Sequence, residues 1–222
     1  MTSVLDAEAP AAGTGAVLVM ASVDDDHLGR LMRQPFAAYL EAPEPGEDHQ
    51  VTAGPRFEST VAAGGLYFWL TTGTAFQLAT TMLFCDGLVT RGAVTGEQRE
   101  GVELALHEAV ANALLHGNLG LDSEMRDDFR RYAEFCQLLD ERLRDPVRHR
   151  QRVEIAATWQ PGFLEIVVTD QGEGYADAAI TPDEPEETAN GLLIHGLGII
   201  HALTESVTTD ADGRGLILRF AT

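Results

Sequence analysis

Residues 108–117 read Glu108-Ala-Val-Ala-Asn112-Ala-Leu-Leu-His116-Gly117. On a helix, residues four apart lie on one face about 5–6 Å from each other. Glu108, Asn112 and His116 therefore form one polar stripe. Leu106, Val110, Ala113 and Leu114 form the opposite stripe and are expected to face a core. The helix is read over Thr95 to Leu115, with Thr95 as N-cap, Glu97 just inside, and Gly117 and Gly120 ending it. A carboxylate one turn from an amide oxygen places a proton acceptor beside a ligand for a hard cation. His107-Glu108 invites a zinc-protease reading, but Ala111 stands where the second His is required.

Two glycine segments follow. Asp170-Gln-Gly172-Glu-Gly174 comes directly after a strand, Ile166 to Val168. A carboxylate at a strand end followed by glycines can accept a hydrogen bond from an adenine amino group while the chain passes close to the base. It is not a dinucleotide fingerprint, because Asp177 replaces the third glycine. His195-Gly196-Leu197-Gly198 then opens a helix, whose first N–H groups are free to meet an anion. All 15 basic residues are Arg and there is no Lys. This excludes the Walker A loop, pyridoxal Schiff bases, Ser-Lys hydrolases and the protein-kinase strand lysine. A triphosphate would have to be held by backbone amides and Mg²⁺.

Outward from these motifs, residues 1–15 are Ala/Gly/Pro-rich and read as disordered. Ala16 to Met20 reads as a short strand, Asp24 to Asp26 as a helix start, Leu28 to Leu40 as amphipathic, and Glu41 to Pro55 as a linker. Phe57 to Val61 and Leu66 to Leu70 are expected to form a hairpin across Ala-Ala-Gly-Gly, followed by an apolar helix from Thr74 to Leu88. Residues 122–147 carry Phe129, Tyr132, Phe135, Leu138, Leu139 and Leu143 at helical spacing and read as a packed amphipathic helix ended by Pro146. Val153 to Ala157 and Leu164 to Val168 alternate at period two, an antiparallel hairpin. Residues 171–190 read as a loop, and Val207 to Thr209 pairs with Leu216 to Phe220 across Asp210-Ala-Asp-Gly213. The pattern is that of an α/β chain, an α+β two-layer sandwich with a mixed, mostly antiparallel sheet and helices on one face.

Charge narrows the partners. There are 35 Asp plus Glu against 15 Arg, a formal net charge of -20. Phosphate backbones and anionic membrane surfaces are repelled by such a field, so neither nucleic acid nor membrane is expected as partner. The Arg142–Arg152 cluster reads as a self-paired helix end beside Asp140, Glu141 and Asp145. No stretch approaches the apolar length of a membrane span, and the start, with Asp6 and Glu8 and no basic residue, does not read as a signal peptide; a cytoplasmic location is expected. Cys85 and Cys136 both read as buried thiols.

Taken in order, E-x-x-x-N-A-x-x-H-G, strand–D-x-G-x-G, a loop, and G-x-G at a helix start resemble the GHKL ATPase superfamily of sensor histidine kinases, DNA gyrase and anti-sigma-factor serine kinases. The spelling through Asn118, with His195-Gly196-Leu197-Gly198, looks most like the anti-sigma kinase branch. The resemblance covers residues 57–222, with a helical insertion at about 121–148; residues 1–56 lie outside it, and a cap over the site, a docking arm or an added strand all fit them. It implies an ATP- and Mg²⁺-binding serine/threonine kinase acting on a STAS (anti-anti-sigma) partner in partner switching, able to capture a sigma factor or sigma-like regulator, as a homodimer. Carried over, Asn112 would ligate Mg²⁺, Glu108 would be the general base, and Asp170 would bind the adenine amino group. Gly172 and Gly174 would shape the base pocket, residues 175–195 would be a lid, and Gly196, Leu197 and Gly198 would meet the phosphates. His116 and His195 are secondary: each can touch phosphate or fix a helix end. This sequence departs from the pattern at Leu197, where Arg is common, at Arg214, where Thr is common, and in an acidic lid without a cation. Two other readings therefore stand beside the kinase: a non-catalytic binding module, and the ATP-binding part of a histidine-kinase-like system.

Overall fold

The computed structural model describes residues 16–20, 24–32, 36–42, 53–122, 125, 130–174, 186–188, 191–193 and 196–222. The expectations for residues 1–15, for the acidic stretch 175–185 and for His195 lie outside the described residues. A seven-stranded sheet runs in the order β1 (Ala16–Met20), β2 (Phe36–Glu41), β3 (Leu66–Thr71), β4 (Arg152–Gln160), β5 (Phe163–Thr169), β9 (Gly215–Ala221), β8 (Ser206–Thr209). The β1–β2 and β2–β3 pairs are parallel and the others antiparallel. The fold class is the one expected, and residues 16–41 supply two of its strands.

One face of the sheet carries Phe68, Leu70, Ile155, Ile166, Val168, Leu216 and Leu218, all buried in the main core. Against it pack α1 (Asp25–Met32), α3 (Thr72–Gln77), α4 (Thr80–Thr90), α5 (Arg99–Asn112) and α8 (Gly196–Leu203). Phe68 sits edge-on between Tyr39 and Phe84, at centroid separations of 6.0 and 4.9 Å, so aromatic edges lock β2, β3 and α4 together. The reverse face carries Ala38, Leu40, Tyr67, Trp69 and Ala156.

The expected hairpin at 57–70 is not formed. Phe57–Ala62 is instead a helix, α2, on the reverse face, and only Leu66–Thr71 is a strand. Phe57 and Val61, four apart, both pack on the reverse-face cluster, so the apolar spacing is helical rather than alternating. Its end is a Schellman cap: the Gly65 N–H donates to Thr60 O (2.9 Å) and Gly64, at φ 73°, donates to Val61 O (3.0 Å).

The single helix expected over Thr74 to Leu88 is two. Leu78 is extended, and the Asp25 carboxylate accepts the Ala79 N–H at 2.8 Å where the helical ladder breaks. Leu78 and Ala79 are apolar, so the hydrophobic pattern carries no sign of the break. Likewise the stretch 28–40 divides into the end of α1 and the strand β2. Of the helix expected over residues 122–147, α6 (Tyr132–Arg144) ends ahead of Pro146 as expected, and a separate short helix, α7 (Pro146–Arg150), follows, with Asp145 capping the Val147 N–H at 2.9 Å and Pro146 in its first turn; Phe129 lies outside the described residues. Phe135, Leu138, Leu139 and Leu143 pack with Leu119, Leu121 and Met125 as a separate small core, as the amphipathic spacing requires. Cys85 is buried as expected, but Cys136 is exposed. The reading of 171–190 as loop is corrected in part: β6 (Glu186–Thr188) pairs with β7 (Gly191–Leu193) as a two-stranded ribbon.

Candidate functional site

Helix α5 starts at a reciprocal cap. The Gln98 N–H donates to Thr95 Oγ1 (3.3 Å) while the Thr95 N–H donates to Gln98 Oε1 (3.0 Å), and the first helical bond runs from Arg99 N to Thr95 O. At its far end the helix does not stop at Leu115 but widens into a π-helical turn, Ala113–Asn118. The Leu119 N–H reaches back to Leu114 O (2.9 Å), and Gly120, at φ 60°, lets the chain leave. Such wide turns are frequent at functional sites.

The core stripe is as expected: Leu106, Val110, Ala113 and Leu114 are buried. The polar stripe is half-buried, and its members have different surroundings. Glu108 and Asn112 have no hydrogen-bond or ion-pair partner among the described residues. Both face the start of α8, where a β-carbon on Gly196 would fall 2.8 Å from Glu108 Oε2 and 3.7 Å from Asn112 Oδ1. The glycine keeps the space in front of this pair open. His116 differs, its Nδ1 lying 2.6 Å from Leu121 O. A carbonyl only accepts, so Nδ1 carries a proton there, and the ring ties down the chain leaving the helix.

The three motifs converge. A β-carbon on Gly117 would overlap the Asp170 carboxylate, and one on Gly172 would overlap the Gly117 carbonyl. The end of α5 is thus laid directly against the loop after β5, which only glycine permits. Gly174, at φ 87°, packs on the carbonyl of Gly213 in the turn between β8 and β9. Gly196, Leu197 and Gly198 form the first turn of α8. The Leu197 side chain packs against the main core, so only its backbone N–H is free for a phosphate.

Asp170 is 5% exposed. Burial pushes its carboxyl up to about 6, against the Gly172 N–H (2.7 Å to Oδ1) and the Arg214 charge, which favour the ionised form, and with Asp210 adding to the rise. A carboxylate held at this cost in a dry site is a strong acceptor for a ligand donor.

Two residues that position the site were not singled out in the sequence. Asn118, fully buried, donates through Nδ2 to Thr72 Oγ1 (2.9 Å) and Arg152 O (3.1 Å), and its Oδ1 accepts the Gln171 N–H (2.8 Å). It fastens the residue after Asp170 to α3, β4 and the end of α5. Its place directly after Gly117 was the available signal. The other is Arg56, whose partners are 98, 113 and 154 residues away and leave no local trace. In the Arg cluster, Arg144 and Arg148 meet acids of the helix end, but Arg148 also donates to Asn118 O (2.9 Å) and Arg152 to Glu41 O (3.1 Å). Asn118→Ala removes the acceptor of the Gln171 N–H and the donors to Thr72 Oγ1 and the Arg152 carbonyl, and leaves a hole at a fully buried position. Unfolding in urea is expected to show a loss on the order of 3 kcal/mol.

Residues 71–222 match the family model described as the histidine kinase-like ATPase domain. The match spans more than half of the chain, and the chain belongs to this family. It therefore carries a GHKL-type ATP-binding module. No curated protein matches the chain. No helix among the described residues is long and apolar enough to cross a membrane.

Proposed function

We propose that the chain is an Mg-ATP-dependent serine/threonine kinase of the anti-sigma type. It phosphorylates a hydroxyl on a STAS (anti-anti-sigma) partner and, unphosphorylated partner being absent, holds a sigma factor or sigma-like regulator, as a cytoplasmic homodimer. The observation that supports this reading is the free Glu108–Asn112 pair facing Gly196 at the start of α8. A half-buried carboxylate and amide without partners among the described residues suit a reacting hydroxyl and a cation.

Among the described residues no group of three His, Cys, Asp or Glu can hold a metal alone. The oxygens of Asn112 and Glu108 facing the open space at Gly196 fit Mg²⁺, which keeps its waters and takes one or two protein oxygens together with substrate phosphates. Asn112 would hold it, and its charge would offset the charge on the phosphate oxygens. Asp170 accepts from the adenine amino group, Gly172 and Gly174 let the chain approach the base, and the N–H groups of Gly196, Leu197 and Gly198 point at the phosphates. Glu108 takes the proton of the attacking hydroxyl. As its oxygen bonds to the terminal phosphorus, the bond from that phosphorus to the bridging oxygen breaks and ADP leaves.

The non-catalytic module is favoured by one observation: the Leu197 side chain is turned into the core and offers no charge to a phosphate. Calorimetric titration with ATP tests the site on which the kinase reading depends. Binding is expected with Mg²⁺ present, and Asn112→Ala should weaken it roughly 10–100-fold, as loss of metal-supporting groups does. No binding in either protein would favour the module.

A further inference from the structure

The reverse face of the sheet carries a second polar constellation, directly behind Asp170. Across neighbouring strands, Trp69, Glu154, Thr169 and Gly215 stand in one row. Glu154 is completely buried. Arg56, at the start of α2, crosses this row. Its backbone N–H donates to Glu154 Oε1 (3.0 Å), and Nη1 donates to Glu154 Oε2 (3.1 Å) and Thr169 Oγ1 (2.9 Å). Nη2 donates to Asp210 Oδ2 at 2.6 Å. Tyr67 Oη donates to Glu154 Oε1 (2.9 Å) and accepts the Gly54 N–H (2.8 Å), so the buried carboxylate is fully paired. Gly215 makes room for the crossing: a β-carbon there would fall 2.9 Å from Thr169 Oγ1 and 3.0 Å from Arg56 Nη2.

What Arg56 grips is specific. Thr169 is the residue immediately before Asp170. Asp210 builds the β8–β9 turn: it accepts the Arg214 N–H through Oδ1 (3.0 Å), and its carbonyl accepts the Gly213 N–H (3.0 Å). The Gly213 carbonyl is the surface on which Gly174 rests. One guanidinium therefore holds the segment 169–174 at both ends, directly at Thr169 and through the turn at Gly174. A planar fork with several donors in fixed directions can do this, and an ammonium cannot.

We propose that Arg56 is a positioning residue for the base end of the nucleotide site, so that a residue ahead of the family-matched region, 71–222, completes the site. The proposal rests on the ATP-binding reading and names a residue that controls it.

The test titrates the full chain with ATP, GTP and inorganic tripolyphosphate. Arg56→Ala is expected to weaken ATP about tenfold or more and to bring ATP and GTP affinities close together, because a loosened support misplaces Asp170. Tripolyphosphate affinity, set at α8, stays unchanged. Arg56→Lys keeps the charge but not the fork, and is expected to recover unfolding stability more than base selectivity. If Arg56→Ala does not fold, Asp210→Asn decides. It keeps an acceptor for the Arg214 N–H and leaves the Arg56–Glu154 and Arg56–Thr169 bonds in place, but sets an amide N–H group against Arg56 Nη2, and is expected to show the same pattern to a smaller degree. Unchanged ATP affinity and selectivity in the folded variants would overturn the proposal and leave ATP binding standing. Equal loss of ATP and tripolyphosphate would also overturn it, since that is the mark of general loosening. A native chain that binds none of the three would overturn the ATP-binding reading and this proposal together.

Discussion

Under the proposed kinase reading, Glu108→Gln is expected to slow phosphoryl transfer to a STAS partner's hydroxyl by about 10²–10⁴-fold, the usual contribution of a positioned general base. ATP affinity should hold or rise slightly. The amide has the carboxylate's size and shape, so the open space at Gly196 is kept. It cannot take a proton. It also removes one negative charge from the region where the triphosphate would sit, which lowers the electrostatic cost of binding. Glu108 has no partner to lose among the described residues, so the urea midpoint should not fall. Single-turnover transfer from labelled ATP to the partner, run beside calorimetry, separates the two effects. Equal transfer rates in the native chain and the variant would remove Glu108 from the role of base. A native chain that binds ATP and transfers nothing would point to the non-catalytic module.

The difference between what the sequence disclosed and what it hid follows from the range of the interactions. Glu108, Asn112, Gly117, Asp170 and Gly196 announce themselves because each sits in a short motif whose spacing is local, and the structure brings these motifs together at glycines that leave no room for a β-carbon. The antiparallel strands β4 and β5 are legible for the same reason: alternation at period two and a Pro-Gly turn are both near-neighbour signals. Residues 57–62 read as a strand because a six-residue helix offers only one i,i+4 apolar pair, Phe57 and Val61, too little to be told from alternation. The break at Leu78 depends on Asp25, far away in the chain. Asn118 and Arg56 lie at the extreme of this scale. Their partners come from elements that meet only in the finished sheet, so a reading of neighbours passes over them.

Asp170→Asn is expected to move function and stability in opposite directions. In the folded chain this carboxyl titrates at about 6, raised from an ordinary value of 3.8 chiefly by burial. A raised acid means that between these two values the folded chain binds a proton that the unfolded chain has released. Stability from this group alone therefore falls as pH rises from about 4 to 6, by an amount on the order of 3 kcal/mol, and stays lowered above that. Asparagine carries no charge to bury. It can still accept the Gly172 N–H through its amide oxygen, so the variant should be the more stable protein at pH 7.5 and the two should converge near pH 4. Binding runs the other way. In the proposed site the ionised carboxylate would accept from the amino group of adenine and repel the carbonyl that guanine carries at the same place. An amide can donate as well as accept, so the variant should bind ATP more weakly and lose its preference for ATP over GTP. In the native chain, adenosine affinity should fall as pH drops below about 6, approaching tenfold per pH unit, because the base must then displace a proton. Adenosine carries no phosphate whose own ionisation would obscure the trend. Urea unfolding between pH 4 and 8 and adenosine titration over the same range test both halves. A variant no more stable than the native chain at pH 7.5 would show that burying this charge costs the fold nothing. A native adenosine affinity flat through pH 6 would show that the base does not meet Asp170.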